Sequence, residues 1–120
     1  MKPSIFLQVF ILCVFVPLCA TQTVAAAPLN ALKPFLKQHC YECHGAKMQK
    51  NELRFDTLGP DLSEPETLRT WQDILDQLNL GEMPPKKQPQ PAPEDAAKIV
   101  DTLTATLKEA YSQHGSKGGH

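Results

Sequence analysis

The chain has no large excess of charge of either sign. It contains 12 lysines and arginines against 13 aspartates and glutamates, for a net charge of −1. Because nucleic-acid-binding proteins concentrate positive charge, this composition gives no indication of a nucleic-acid partner. A long apolar run is also lacking. The longest, residues 5–18, is interrupted by Gln8 and Pro17 and is shorter than the ~20 residues that a membrane-spanning helix needs.

Cysteine is scarce as well. Two of the four cysteines lie in the N-terminal apolar region, so only Cys40 and Cys43 remain in the rest of the chain. A structural zinc site usually draws its ligands from two separated pairs, and there is one pair here. A thioredoxin-like dithiol would need a βαβ setting, which the sequence does not predict. A disulfide between Cys40 and Cys43 remains an alternative in an exported protein.

The N-terminus has the three parts of a secretory signal peptide. Lys2 is basic, the apolar run follows, and small residues at 23–27 suit signal peptidase. We expect a signal peptide at 1–27, with cleavage before Ala26, Ala27 or Pro28, and a periplasmic or otherwise exported protein. An uncleaved membrane anchor is the alternative. Cleavage would remove one basic residue and leave 11 against 13 acidic ones.

The most informative stretch is Cys40-Tyr41-Glu42-Cys43-His44. Cys-x-x-Cys-His is the attachment signature of c-type haem: the thiols add to the porphyrin vinyl groups and the histidine ligates the iron. Two intervening residues let one helical turn present both sulfurs to neighbouring vinyl groups. The motif therefore predicts one covalently attached haem c, with His44 as the proximal ligand.

The remaining residues predict one small all-α domain at 28–111, followed by a flexible glycine-rich tail at 112–120. Apolar residues at helical spacing indicate three main helices, at about 32–42, 63–80 and 93–111. A domain of this size has a limited core, so the haem plate should contribute to it.

Local signals bound the middle helix. Ser63 and Glu66 have the spacing of a capping box, in which the side chain of each residue accepts a hydrogen bond from the backbone N–H of the other. Gly81 has the position of a left-handed stop. Proline-rich sequence then leads to the last helix, which begins near Pro93.

Met83 is the candidate for the second axial position of the iron. A thioether there favours the ferrous state. Met83 follows the glycine stop and precedes Pro84 and Pro85, which stiffen the backbone. Of the other methionines, Met1 lies in the signal and Met48 is too close to His44 to reach the opposite face.

The segment from Leu32 to about Tyr111 resembles the planctomycete-type cytochrome c domain, which is similar to small class I cytochromes c. The resemblance rests on Phe35-Leu36, Cys40 to Gly45, Leu53 to Leu58, Trp71, and Gly81-Glu82-Met83-Pro84-Pro85. It implies a class I-like fold with three main helices around a covalent haem, the first and last helices crossed, and His44 and Met83 as axial ligands. In that family the domain is usually fused to larger modules.

Three further residues are candidates for the surroundings of the haem. Gly59-Pro60 resembles the loop of class I cytochromes in which the proline carbonyl accepts a hydrogen bond from the proximal imidazole; an ordinary turn is the alternative. Trp71 could donate its indole N–H to a propionate, although a core role is the simpler interpretation. Arg54 could pair with a propionate or be an exposed arginine.

These features together predict an electron-transfer protein and not an enzyme by itself, although it could be the haem domain of a larger redox enzyme. We expect a one-electron carrier or electron-entry domain with redox proteins as partners and no membrane span after signal cleavage. A haem-based sensor or a peroxidase-like enzyme with a labile sixth ligand is the alternative.

Overall fold

The computed structural model describes residues 26–117. The expected signal peptide lies outside them except for Ala26 and Ala27, as do the last three residues of the expected tail. The described chain is helical, with α1 at Ala26–Ala31, α2 at Lys33–His39, a 3₁₀ helix at Lys50–Glu52, α3 at Pro65–Leu80 and α4 at Pro93–Lys117.

The first expected helix corresponds to α2, which begins at Lys33 as expected but ends earlier than Glu42, and a separate short helix, α1, precedes it. Leu32 separates α1 from α2, and its N–H donates to the carbonyl of Leu29. At the other end of α2, the carbonyl of Leu36 accepts from both Cys40 N–H and Tyr41 N–H. The second of these bonds spans five residues and widens the last turn, so the regular helix ends at His39.

Helix α3 has the expected C-terminus but a different N-terminal cap. Gly81 is left-handed, with φ of 66°, as a glycine stop requires. At the N-terminus the capping residue is Glu64, which makes no side-chain cap. Ser63 instead donates its N–H and hydroxyl to the Asp61 carboxylate, so the expected capping box is wrong. Glu66 is paired with Arg69 on the helix surface.

Helix α4 continues past Tyr111 to Lys117, through part of the expected flexible tail. A glycine at 115 is unfavourable in a helix by ~1 kcal/mol relative to alanine. A tertiary contact offsets this cost, since the His114 Nε2 lies 3.0 Å from the Leu62 carbonyl oxygen. Gln113 also donates to Glu109 one turn earlier. The tail is therefore helical up to residue 117.

The helices pack around one apolar core. Helix α3 lies against α4, and α1 contacts both α2 and α4. The helix that the resemblance led us to expect crossed against the last one, at about 32–42, corresponds to α2, and it is the shorter α1 before it that contacts α4. The buried side chains come from all four helices, from the residue between α1 and α2 and from the loop between α2 and α3: Leu29, Leu32, Leu36, Phe55, Leu62, Leu68, Trp71, Ile74, Leu75, Ile99, Leu103, Leu107 and Ala110.

The architecture agrees with the all-α expectation. Within residues 26–117 the only β pairing is an isolated bridge between His44 and Gln49. None of the helices in this part of the chain is long and apolar enough to cross a membrane.

Candidate functional site

The Cys-x-x-Cys-His segment forms a single tight turn directly after α2. The His44 N–H donates to the carbonyl of Cys40 at 2.9 Å, and the Cys43 N–H donates to the same oxygen at 3.2 Å. The first bond has the four-residue span of an α-helical turn. Both cysteines are half-buried free thiols, and both line one cavity together with His44.

His44 is held rigidly at the floor of this cavity. Its side chain is buried, with 7% of the residue exposed. The ring stacks on Phe55 with centroids 4.7 Å apart, and Nδ1 lies 3.1 Å from the carbonyl oxygen of Lys50. A carbonyl can only accept, so Nδ1 is the donor, and in the neutral imidazole the lone pair is then on Nε2. This is the tautomer that an iron ligand requires.

The loop after His44 folds back under the imidazole. The Gly45 N–H donates to the Met48 carbonyl, and the Lys50 N–H donates to the Cys43 carbonyl at 2.9 Å. Gly45 is required by space: a Cβ at this position would lie 2.3 Å from the Tyr41 carbonyl oxygen. Only glycine allows the loop to approach the motif closely enough to bring Lys50 to His44.

The turn after Lys50 contains two non-glycine residues with positive φ. Asn51 has φ of 56° and Glu52 has φ of 61°. Asparagine tolerates this region, whereas glutamate adopts it at a cost of about 1–2 kcal/mol. The Leu53 N–H returns to the Lys50 carbonyl at 3.2 Å, so this strained turn keeps the carbonyl oriented toward the histidine.

Met83 reaches the cavity from the other end of α3. At the C-terminal end of the helix, the Gly81 N–H donates a hydrogen bond to the Leu78 carbonyl and the Glu82 N–H donates one to the Gln77 carbonyl, both at 3.1 Å. These bonds reverse the chain one residue before Met83. Met83 is half-buried and the following Pro84 is buried. Both residues line the cavity.

The cavity fits a haem group. Its volume is about 660 Å³, within the ~300–1,000 Å³ range of cofactor and ligand pockets. It brings together two thiols, an imidazole with a free Nε2 and a thioether, which is the donor set of a covalent, His/Met-ligated haem. The rest of the lining is mixed: the apolar side chains include Leu53, Phe55, Ile74, Leu78 and Leu80, and the acidic side chains are Glu42, Asp73 and Asp76.

The three tentative partners of the haem do not line this cavity. The imidazole Nδ1 has Lys50, and not Pro60, as its acceptor. The Trp71 indole N–H donates to the Gly59 carbonyl at 2.9 Å, so it is used within the protein. Arg54 forms a bidentate salt bridge with the Asp56 carboxylate. The geometry therefore favours the simpler alternative for each: a turn, a core residue and a surface arginine.

Several contributors to the site were missed by sequence reasoning. The Lys50 carbonyl is a backbone group and carries no signal in residue type. Phe55 lies eleven positions from His44 in sequence, and only the loop's path places the rings together. His39 also lines the cavity, and its ring packs against Phe35 with ring centroids 4.8 Å apart.

Burial changes the chemistry of the first thiol. Desolvation, with a smaller contribution from the charge of Cys43, raises the pKa of Cys40 to about 11. At neutral pH the Cys40 thiol is accordingly protonated. Within residues 26–117, no three His, Cys, Asp or Glu side chains are grouped so as to hold a metal ion, as a zinc site would require.

Comparison with known proteins gives one informative match. The model of the family described as planctomycete cytochrome C matches residues 40–87. This segment begins at the first thiol of the motif and includes Met83. No curated protein and no solved structure matches the chain significantly. A cytochrome c family segment indicates a haem-based redox role and implies haem c as the cofactor. Residues 40–87 of this chain are therefore similar to the planctomycete cytochrome C family.

Proposed function

We propose that this protein is a c-type cytochrome that acts as a one-electron carrier or electron-entry domain, with His44 and Met83 as the axial ligands of one haem. The observation that carries the proposal is that Cys40, Cys43, His44 and Met83, which come from both sides of α3, line a single cavity. The bound haem would supply reversible one-electron exchange between Fe(III) and Fe(II).

The chain's own groups suit this role. Cys40 and Cys43 would hold the porphyrin by thioether bonds, so the cofactor could not be lost by dissociation. The Lys50 carbonyl keeps His44 in one tautomer and one orientation, which raises the basicity of Nε2. A thioether from Met83 would stabilise the reduced iron and close the position that a peroxidase or gas sensor needs open.

Export is part of the proposal. Haem c attachment in bacteria takes place outside the cytoplasmic membrane, and the signal-like sequence at 1–27 would send the chain there. We propose a periplasmic or otherwise exported protein whose partners are redox proteins, including larger modules fused to or associated with it. Cell fractionation and N-terminal sequencing of the haem-stained protein test this part. Haem protein with an intact N-terminus at Met1 in the cytoplasm would contradict it.

The optical spectrum tests the axial ligands. We expect a sulfur–iron charge-transfer band in the oxidised protein and no rapid spectral shift when carbon monoxide is added to the reduced protein. The Met83→Ala variant should lose the band, bind carbon monoxide and have a lower reduction potential.

Met48→Ala is the matched control, because Met48 is 46% exposed and should leave the spectrum unchanged. If the wild-type protein binds carbon monoxide readily, the sensor or peroxidase alternative is favoured. If Met83→Ala has the wild-type spectrum, Met83 is not an iron ligand.

A further inference from the structure

The connection that carries Met83 is poor in backbone hydrogen-bond donors. Between α3 and α4 the chain has prolines at 84, 85, 89 and 91, and α4 begins with Pro93. Proline has no N–H, so this connection has few backbone donors with which to form hydrogen bonds to its own carbonyls. One backbone bond is made, from the Gln88 N–H to the Pro85 carbonyl at 2.8 Å.

A side chain supplies the missing donors. The Gln90 Nε2 lies 3.2 Å from the Pro84 carbonyl oxygen, 2.9 Å from that of Pro85 and 3.0 Å from that of Gln88. A primary amide nitrogen has two N–H groups, so these three carbonyls share two protons. The amide therefore ties together three peptide units of the loop that directly follows Met83.

The tied units are adjacent to the proposed ligand. The Pro84 carbonyl belongs to the residue after Met83, and Pro84 is buried against the cavity that Met83 lines. Movement of Met83 away from the cavity has to move Pro84 and Pro85, since proline rings allow little rotation about φ. Such a movement would separate the two carbonyls from the Gln90 amide.

We propose that Gln90 is the positioning residue for Met83: its amide N–H groups hold the loop 84–88 closed and so keep the thioether at the cavity. This inference rests on the proposed function, in which Met83 ligates the haem iron. Gln90 does not touch the cavity itself. Its role is to favour the closed loop over an open one in which Met83 has left the iron.

Two variants of Gln90 test the proposal on the holoprotein. Gln90→Ala removes the donors, and Gln90→Glu keeps the shape but replaces the N–H groups with oxygens that repel the carbonyls. The probe is the slow binding of carbon monoxide to the reduced protein, at a carbon monoxide concentration low enough that Met83 dissociates and rebinds many times before carbon monoxide is captured. Under these conditions the observed rate is proportional to the open population. Loss of one or two net hydrogen bonds should increase the open population about 5–30-fold. The rate of carbon monoxide binding to the reduced protein should rise by the same factor in both variants. The sulfur–iron band of the oxidised protein should weaken.

Gln113→Ala is the control, because Gln113 is an exposed glutamine on α4 that bonds only within its own helix. It should leave both signals at the wild-type value. If Gln90→Ala and Gln90→Glu match Gln113→Ala in rate and band intensity, the positioning role is refuted. If only Gln90→Ala is altered while Gln90→Glu behaves as wild type, the N–H donors are not the cause and the proposal also fails.

The proposed function is tested separately. If the wild-type protein shows the sulfur–iron band and Met83→Ala abolishes it, Met83 ligation stands whatever the Gln90 variants do. Absence of the band in the wild-type protein would instead contradict the ligand assignment, and with it the role of Gln90.

Discussion

The indole Nε1–H of Trp71 donates a hydrogen bond to the carbonyl oxygen of Gly59, 2.9 Å away. Trp71 is 1% exposed and lies in the middle of α3, whereas Gly59 lies in the loop that leads to that helix. The bond joins a core side chain to a backbone group of a half-buried loop residue. It is the main polar contact between the Trp71 side chain and the loop before α3.

The first prediction concerns this bond. Trp71→Phe should retain much of the packing but leave the Gly59 carbonyl without its donor, at a cost of about 1–3 kcal/mol in the free energy of unfolding. Trp71→Ala should cost about 3–5 kcal/mol, because it also opens a cavity. Denaturant unfolding of the holoprotein measures both. Tyr111→Phe, at an exposed aromatic position, is the control, and a Trp71→Phe value equal to the control would show that the bond contributes nothing.

Gly45 should not tolerate a side chain. In Gly45→Ala the new Cβ would meet the Tyr41 carbonyl oxygen at 2.3 Å, so the loop must move away from the motif. We expect a loss of about 3 kcal/mol of stability and a weaker bond between the Lys50 carbonyl and His44. Gly59→Ala is the matched control, because a Cβ there meets no atom within 4 Å. Similar unfolding midpoints for the two variants would contradict this account of Gly45.

Removal of both thiols should prevent folding as well as haem attachment. Cys40→Ala combined with Cys43→Ala, expressed with the haem-attachment machinery, should give no haem-stained band on a denaturing gel and little helical circular dichroism. The reason is that the cavity would be left unfilled without the haem, and a small domain has little other core to stabilise it. Cys19→Ala, in the expected signal peptide, is the control for cysteine loss. Wild-type helicity in the haem-free double variant would refute the structural role of the cofactor.

The pair of Arg54 and Asp56 predicts a small pH effect. The hydrogen bond from Arg54 lowers the pKa of Asp56 below its usual value. The pair therefore contributes stability above that usual value, and the contribution is lost as the pH falls through the lower pKa of the folded state. Arg54→Gln should raise the pKa of Asp56 toward its usual value and move acid unfolding slightly to higher pH. The effect is small because both side chains are partly open to solvent, which screens the charges.

NMR titration of the carboxyl groups measures this change. Asp61 is the internal control, because its pKa is lowered by hydrogen bonds from Ser63 and not by a charge. We expect Asp61 to titrate identically in both proteins. An unchanged Asp56 titration in Arg54→Gln would show that the ion pair does not form in solution.

Some features of the site are readable in the sequence because they are local. Cys40, Cys43 and His44 are fixed by covalent chemistry to one spacing, and one turn of backbone suffices to bring them together. Gly81 at the end of α3 and the prolines after Met83 are likewise signals within a few residues of the feature they control. The helices at 65–80 and 93–111 follow from apolar spacing.

Other features depend on contacts between distant residues. His114 meets the Leu62 carbonyl across 52 positions, and this contact extends α4 through sequence that resembles a flexible tail. Ser63 bonds to Asp61 instead of capping α3, because the nearby carboxylate competes with the helix N-terminus for the same hydroxyl. The spacing of Ser63 and Glu66 indicates that a capping box is possible, but it does not show whether Ser63 bonds to a nearby carboxylate instead.

By itself the sequence determined the helical class, the covalent motif and the candidate axial ligands, since each is encoded by residue type at short range. Only the tertiary structure decided which backbone oxygen holds the imidazole and which side chain closes the Met83 loop. Both groups, the Lys50 carbonyl and the Gln90 amide, act through hydrogen bonds whose geometry depends on the path of the chain. Every residue has a carbonyl and many have an amide, so residue type alone does not distinguish the ones that are used.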